Sequence, residues 1–124
     1  MNLPDLDPTL PYCYLTTTGR TSGEPREIEI WFALSENTLF LMAGGREKAH
    51  WVRNIQKTPA ATVRLDGVTY AATARLVAAG SEEDALARRL LFEKYSPGYS
   101  GDLASWRDTA LPVALEIETR AAGL

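Results

Sequence analysis

The segment from residue 39 to residue 55 restricts the fold most, because it joins a strand to a helix through a tight turn. Residues 38–43 have the length of a strand and are apolar on both faces, which predicts a strand covered on both sides. Gly44 and Gly45 then mark a turn, and residues 46–57 have the amphipathic spacing of a helix. A helix start placed there directs free backbone N–H groups and the positive end of the helix dipole to one point.

Positive charge is concentrated at that point, although the chain as a whole is acidic. Arg46 and Lys48 lie in the first turn of the predicted helix, so the sequence predicts an anion-binding site there. The formal net charge is −3 and the pI is about 5.1. Proteins that bind nucleic acids usually carry a basic surface, so no nucleic-acid partner is expected and the anion site is local.

Two strand patterns precede this segment. Residues 12–18 are rich in aromatic and β-branched side chains, which predicts a first strand. Residues 19–25 hold two glycines and a proline around polar side chains, as hairpin loops do. Residues 27–32 alternate between two faces: Ile28, Ile30 and Phe32 on one, and Glu27, Glu29 and Trp31 on the other. Trp31 is therefore expected either at an interface or ligand edge, or packed against a helix.

The second half of the chain predicts two more strands, a helix and a last strand. Asp-Gly at positions 66–67, between alternating runs at 60–65 and 68–77, predicts a β-hairpin. Ser81 followed by three acids predicts the N-cap of a second helix, which should end near Tyr95. Residues 113–118 alternate as a final strand. About six mostly antiparallel strands with two main helices predict a mainly β (α+β) fold, a small antiparallel barrel with helices outside it.

The 124 residues have the length of one domain. Three prolines within residues 1–11 predict an N-terminal lead-in, which leaves residues 12–124 as the folded domain. No stretch reaches the roughly 18 apolar residues that span a bilayer, so no transmembrane segment is predicted. The first residues lack the basic and apolar regions of a signal peptide, so we expect the protein in the cytoplasm.

The common catalytic and metal-binding patterns are missing from the sequence. Cys13 is the only cysteine and His50 the only histidine, so a disulfide within the chain and a metal site of several histidines are excluded. Cys13 is expected to be a packed small side chain, and a direct role for His50 is the less favoured interpretation. Glu27 and Glu29 fit a solvated strand face better than paired acid and base.

No catalytic residue and no metal site are therefore predicted, and the nucleotide-binding patterns of P-loop and Rossmann proteins are absent. A bound cofactor that carries the reaction would suit such a chain. The basic segment after Gly44 and an aromatic stretch, residues 95–106, would then form the site. The open alternative is a basic surface helix and ordinary aromatic packing.

Three groups of residues resemble one known family. The first is Thr16-Thr17-Thr18-Gly19-Arg20-x-Ser22-Gly23-x-Pro25-Arg26 followed by Trp31-Phe32. The second is Ala43-Gly44-Gly45 leading to Lys48, Trp51-x-x-Asn54-Ile55 and Pro59. The third is Tyr95-Ser96-Pro97-Gly98-Tyr99 with Pro112-Val113. Together they resemble the deazaflavin-dependent nitroreductase family, split-β-barrel flavoproteins that also include pyridoxamine-phosphate oxidases.

The resemblance implies a six-stranded antiparallel split β-barrel with flanking helices, and a homodimer with the cofactor at the subunit boundary. It implies an oxidoreductase in which reduced coenzyme F420 delivers hydride to an electron-poor small molecule, a nitro compound, quinone or enone. The residues it implies at the cofactor are Ile28, Glu29, Ile30, Trp31, Ala43, Gly44, Gly45, Arg46 and Lys48, with Trp51 and Asn54 as framework. Those it implies on the substrate side are Tyr95, Tyr99 and Trp106.

Related split barrels leave two alternatives open: an FMN-dependent oxidoreductase, and a non-catalytic barrel that binds a cofactor or a tetrapyrrole. Thr21 departs from the family pattern, which has a lysine at this position. One positive charge that would counter the acidic tail of the deazaflavin is therefore missing.

Overall fold

The computed structural model of the protein describes residues 7–120. Within this part of the chain the strands are β1 Cys13–Thr18, β2 Pro25–Ile30, β3 Ala33–Ser35, β4 Thr38–Ala43, β5 Ala60–Leu65, β6 Val68–Leu76 and β7 Leu111–Arg120. The helices are α1 His50–Lys57, α2 Glu82–Tyr95 and α3 Ala104–Thr109. Short 3-10 turns cover Arg46–Lys48 and Ser96–Gly98.

All seven strands belong to one sheet in the order β2-β1-β5-β6-β7-β4-β3, and every neighbouring pair is antiparallel. β2 and β3 are the two edges of this sheet, yet only Trp31 and Phe32 lie between them in the chain. A flat sheet of seven strands would hold its edges about 29 Å apart, whereas the link from Ile30 to Ala33 reaches at most about 11 Å. The sheet must therefore curl into a barrel, with Trp31 and Phe32 crossing the seam between its edges.

The predicted fold class is confirmed, and the strand count differs by one. The extra strand is β3, which pairs with β4 around a turn in which Glu36 has a left-handed φ of 55°. The prediction of one strand through residue 32 was wrong, because β2 ends at Ile30, where the chain crosses the seam. The predicted hairpin is confirmed: Asp66 and Gly67 have φ of 50° and 79°, as a tight hairpin turn requires.

The helices confirm one prediction and correct another. The N-cap of α2 is confirmed, because Ser81 Oγ accepts a hydrogen bond from the Asp84 N–H at 3.1 Å. The continuous helix over 46–57 was wrong: α1 begins only at His50, and Ala49 before it is extended. Arg46 has a left-handed φ of 54° and its guanidinium donates to the Thr109 carbonyl, so the chain turns there before α1 can start.

Two apolar layers position the site. Inside the barrel, alternate residues of β4, Leu39, Leu41 and Ala43, pack with α1 through Val52 and Ile55. The other face of β4 packs under α2, so this strand is covered on both sides, as predicted. Cys13 is fully buried, and this burial raises the pKa of its thiol to about 12, which suits the packing role predicted for it. In the described part of the chain, no helix is long and apolar enough to cross a membrane.

Candidate functional site

A cavity of about 550 Å³ lies between α1 and the loop that joins β1 to β2. This volume is within the range of small-molecule sites. Ten residues line it: Thr17, Gly19, Arg20, Thr21, Ser22, Arg26, Ile28, His50, Trp51 and Asn54. Ile28 and Trp51 are its apolar side chains, and the others supply cations, hydroxyls and amides. The arrangement suits a ligand with one flat apolar part and one oxygen-rich anionic part.

The loop between β1 and β2 is closed on itself by Gly19. The Gly19 N–H donates to the Glu24 carbonyl at 2.8 Å, and the Gly19 carbonyl accepts from the Gly23 N–H at 2.8 Å. A Cβ at position 19 would lie 2.8 Å from Ser22 Oγ and 3.2 Å from the Glu24 carbonyl oxygen. A Cβ at this position would therefore displace the Ser22 hydroxyl and shift the Glu24 carbonyl by a few tenths of an ångström, in one wall of the cavity.

Asn54 ties α1 to β1 and to this loop. Its Nδ2 donates to Thr17 Oγ1 at 3.0 Å. Its Oδ1 accepts from the Arg20 backbone N–H at 3.2 Å and from Arg20 Nη1 at 3.0 Å. Asn54 is only 4% exposed and Thr17 only 2%. The expected framework role of Asn54 is consistent with these contacts, since its carbonyl oxygen and one amide N–H are engaged by the protein itself.

The two arginines of the cavity are held differently. Arg20 is held against α1: besides Asn54 it contacts His50 Nδ1 through Nη2 at 3.1 Å, and its carbonyl accepts from Lys57 Nζ at 2.7 Å. Arg26 donates from Nη2 to Ser22 Oγ at 3.2 Å and lies 3.8 Å from Glu24, an exposed ion pair that binds weakly. Of the two arginines, Arg26 is therefore the one whose side chain can reorient toward a ligand with a small loss of free energy.

An aromatic cluster lies at the other end of β2, at the barrel seam. Trp31 stacks on Tyr95 with ring centroids 4.2 Å apart and planes 4° from parallel. Tyr99 and Trp106 meet Trp31 edge-on, at 5.9 Å and 5.5 Å. Two cavities of about 290 Å³ each adjoin the cluster. The flat rings of such a cluster can stack against a planar ligand.

Hydrogen bonds from α2 lock the seam itself. The Tyr95 hydroxyl accepts from the Phe32 N–H at 3.0 Å and donates to the Pro11 carbonyl at 2.9 Å. Lys94 Nζ donates to the Phe32 carbonyl at 3.0 Å and lies 3.6 Å from the centroid of the Phe32 ring. Burial lowers the pKa of the Lys94 ammonium to about 8. The end of α2 thus closes the seam where β2 and β3 do not pair.

The structure divides the residues predicted for the site into three places: the larger cavity, the aromatic cluster with its two smaller cavities, and the turn after β4. Ile28, Trp51 and Asn54 line the larger cavity, whereas Glu29, Ile30, Trp31 and Trp106 line one of the smaller ones. Tyr95 and Tyr99 line the other smaller cavity, together with Trp31. The third place is the turn after β4, with Ala43, Gly44, Gly45, Arg46 and Lys48, none of which lines these three cavities.

Within that turn Arg46 and Lys48, the two cations of the predicted anion-binding site, differ in their contacts. The Arg46 guanidinium is engaged by the Thr109 carbonyl and by Glu47 at 3.3 Å. The Lys48 ammonium forms no hydrogen bond or ion pair with any residue in the range 7–120. Gly44 lies next to α3, since a Cβ built on it would be 3.8 Å from Trp106 Cδ1. The anion-binding role of these residues stays a prediction.

Several residues of the larger cavity were absent from the predicted site. Thr17, Arg20, Ser22 and Arg26 belong to the first motif, whose residues predicted a strand and a hairpin loop but no ligand contact. The available signal was the pair of arginines around a glycine-bracketed loop in an acidic chain. His50, for which a direct role was the less favoured interpretation, lies in the cavity wall.

Comparisons with known proteins agree on the fold and on a family. The model of a family described as F420H(2)-dependent quinone reductase matches residues 5–118. An F420-H2 dependent reductase (FDR-A) of known structure is 26% identical, covers 87% of this chain and 94% of its own, and superposes with a TM-score of 0.68.

Two more distant structures share the fold. A conserved hypothetical protein from Mycobacterium tuberculosis is 20% identical, with a TM-score of 0.72 over 94% of this chain and 77% of the other. A FAD-binding protein from Mesorhizobium loti is 13% identical, with a TM-score of 0.68 over 96% of this chain and 91% of the other. At these identities the likeness concerns the fold alone.

Proposed function

This chain belongs to the F420H(2)-dependent quinone reductase family, a family of F420-dependent oxidoreductases, and from that premise we propose its acceptor and its site. The acceptor is an electron-poor small molecule: a quinone, a nitro compound or an enone. Reduced F420, when bound, supplies the hydride. The chain's own residues bind, orient and shield the two partners, and none of them reacts covalently.

One observation carries this proposal: β2 borders the larger cavity at Ile28 and a smaller cavity at Glu29 and Ile30, and Trp31 directly after β2 lines the same smaller cavity. The phosphate-bearing part of the cofactor would lie in the larger cavity, where Arg26 and the hydroxyl of Ser22 are available as donors. Trp51 and Ile28 offer apolar contact beside them. The residues of the chain therefore fit a molecule that has both a phosphate and a flat ring.

The remaining predicted residues border the ring and the acceptor. Glu29, Ile30 and Trp31 would contact the deazaflavin ring, and Tyr95, Tyr99 and Trp106 would surround the acceptor. The aromatic faces favour a planar molecule and keep water from it. The seam contacts of Tyr95 support this assignment, because they hold its ring in place against Trp31 before any ligand binds.

We also propose that Lys48 is a phosphate contact and that the turn formed by Ala43, Gly44, Gly45 and Arg46 borders the cofactor. The Lys48 ammonium has no hydrogen-bond or ion-pair partner within residues 7–120, which supports its part in this. The homodimer implied by the resemblance is part of the proposal as well, because a second subunit would cover a groove that is otherwise open. Light scattering of the purified protein tests the homodimer. The cytoplasmic location stays a prediction.

The direct test is titration of the protein with F420, followed by its fluorescence, and then oxidation of reduced F420 by a naphthoquinone, a nitroaromatic and an enone. We expect micromolar or tighter binding and turnover with at least one acceptor. Arg26→Ala and Lys48→Ala should each weaken F420 binding about tenfold, the scale of a hydrogen bond to a charged group. Arg89→Ala, an exposed arginine on α2, is the matched control and should bind normally.

Three results would contradict the proposal in different ways. No binding at millimolar F420 would exclude the cofactor site. Tighter binding of FMN than of F420 would favour the FMN-dependent alternative of the same barrel. Binding of F420 without oxidation of its reduced form by any acceptor class would favour a non-catalytic binding protein.

A further inference from the structure

His50 is the only histidine of the chain and stands at the first position of α1, in the wall of the larger cavity. Its Nδ1 lies 3.1 Å from Arg20 Nη2. A guanidinium has only donors and keeps its protons in proteins, so this contact requires a lone pair on Nδ1. A hydrogen bond between these two nitrogens thus assigns the proton of a neutral imidazole ring to Nε2.

Arg20 cannot easily leave this position. Its Nη1 donates to Asn54 Oδ1 at 3.0 Å, its backbone N–H donates to the same oxygen, and its carbonyl accepts from Lys57. The Arg20 backbone is thus held by Asn54 and Lys57, and its guanidinium by Asn54 and His50, so the side chain stays against α1. The position of the Arg20 guanidinium favours the His50 tautomer in which Nδ1 carries no proton.

We propose that His50 binds a phosphate oxygen of the ligand in the larger cavity by donating its Nε2–H, in the tautomer that Arg20 imposes. This rests on the proposed function, which supplies the phosphate-bearing cofactor. Arg26 and the hydroxyls of Thr21 and Ser22 line the same cavity, so the phosphate would meet one mobile cation and several neutral donors. The neutral Nε2–H adds a directional donor to the cavity without adding charge to an arginine pair.

The tautomer can be measured without any ligand. In a 15N-labelled protein, long-range 1H–15N correlation spectra resolve the two ring nitrogens, and a single histidine makes their assignment unambiguous. At about pH 8, above the ordinary histidine pKa of about 6.5, we expect a protonated Nε2 and an unprotonated Nδ1. Predominant protonation of Nδ1 would overturn the proposal, since Arg20 would then not contact it as described.

The contact with the ligand is tested by two substitutions that differ by one methylene. His50→Gln places an amide N–H near the position of Nε2, and His50→Asn places one near Nδ1 instead. We expect His50→Asn to weaken F420 binding about tenfold, as loss of a hydrogen bond to a charged oxygen would, and His50→Gln to stay within about twofold of wild type. Gln56→Asn, exposed on the same helix and outside the cavity, is the control.

The outcomes separate this proposal from the broader one. If His50→Asn and His50→Gln both bind F420 as tightly as wild type does, His50 makes no ligand contact and only the present proposal falls. If wild type does not bind F420 at all, both proposals fall. Urea midpoints of the variants close to that of wild type are expected, and a large drop for His50→Gln alone would point to a structural role and contradict the proposal.

Discussion

Replacement of Asn54 with alanine should detach α1 from both β1 and the loop that walls the larger cavity. The Asn54 side chain joins these three elements through three hydrogen bonds at 3.0–3.2 Å. Asn54 is 4% exposed and Thr17 is 2% exposed, so water cannot easily replace the lost contacts. The variant therefore leaves the Thr17 hydroxyl and the Arg20 backbone N–H without the partners they have in the folded protein.

The size of the effect follows from these two groups. A buried polar group left without a partner costs about 1–3 kcal/mol. The Arg20 guanidinium is excluded from the sum because it is partly exposed and can bind water instead. We expect Asn54→Ala to lower the free energy of unfolding by about 2–6 kcal/mol, a large part of the roughly 5–15 kcal/mol that stabilises a domain.

The assay is urea unfolding followed by circular dichroism, with two further variants as controls. Asn54→Asp keeps an acceptor for both Arg20 groups, and the Thr17 hydroxyl can rotate to donate to the carboxylate, so its loss should be less than half that of alanine. Thr17→Val combined with Asn54→Ala should cost less than the two single changes added together, because the two residues contact each other. A loss below about 0.5 kcal/mol for Asn54→Ala, the size of an ordinary surface change, would refute this reasoning.

Three further predictions concern the helices and the seam. Ser81→Ala should cost about 1 kcal/mol, because the Asp84 N–H loses its N-cap acceptor; thermal unfolding measures this, and Ser81→Gly should cost only a few tenths. Tyr95→Phe should cost about 1–2 kcal/mol in urea unfolding, since the Phe32 N–H loses its acceptor at the seam, and an unchanged midpoint would contradict the seam contact. For Lys94 the folded-state pKa of about 8 lies below its ordinary value, so the unfolded chain binds the proton more tightly. The contribution of Lys94 to the free energy of unfolding therefore increases as pH rises. The stability of wild type relative to Lys94→Met should therefore increase between about pH 7 and about pH 10, and a difference independent of pH would contradict the lowered pKa.

Much of the fold could be predicted because its signals are local. The hairpin at Asp66-Gly67 depends on positive φ at adjacent residues, and the start of α2 depends on one hydroxyl and one N–H three residues apart. The apolar run of β4 places apolar side chains on both of its faces, and this predicted that both faces are covered. The family resemblance also came from motifs that lie together in the sequence, and the family match confirms it.

The sequence by itself thus determined the existence of six of the seven described strands, most of their turns, the cap of α2 and the family. Only the tertiary structure decided that β2 ends at the seam, that α1 starts at His50, and which side chains share a cavity. Arg20 meets Asn54 across 34 residues, and Tyr95 meets Phe32 across 63. Such contacts depend on which strands become neighbours when the sheet closes, and that is set by packing over the whole barrel. Local patterns therefore indicated that an anion site should exist near the basic turn, whereas the closed barrel assembled a cavity elsewhere, with Arg20 and Arg26 in its wall.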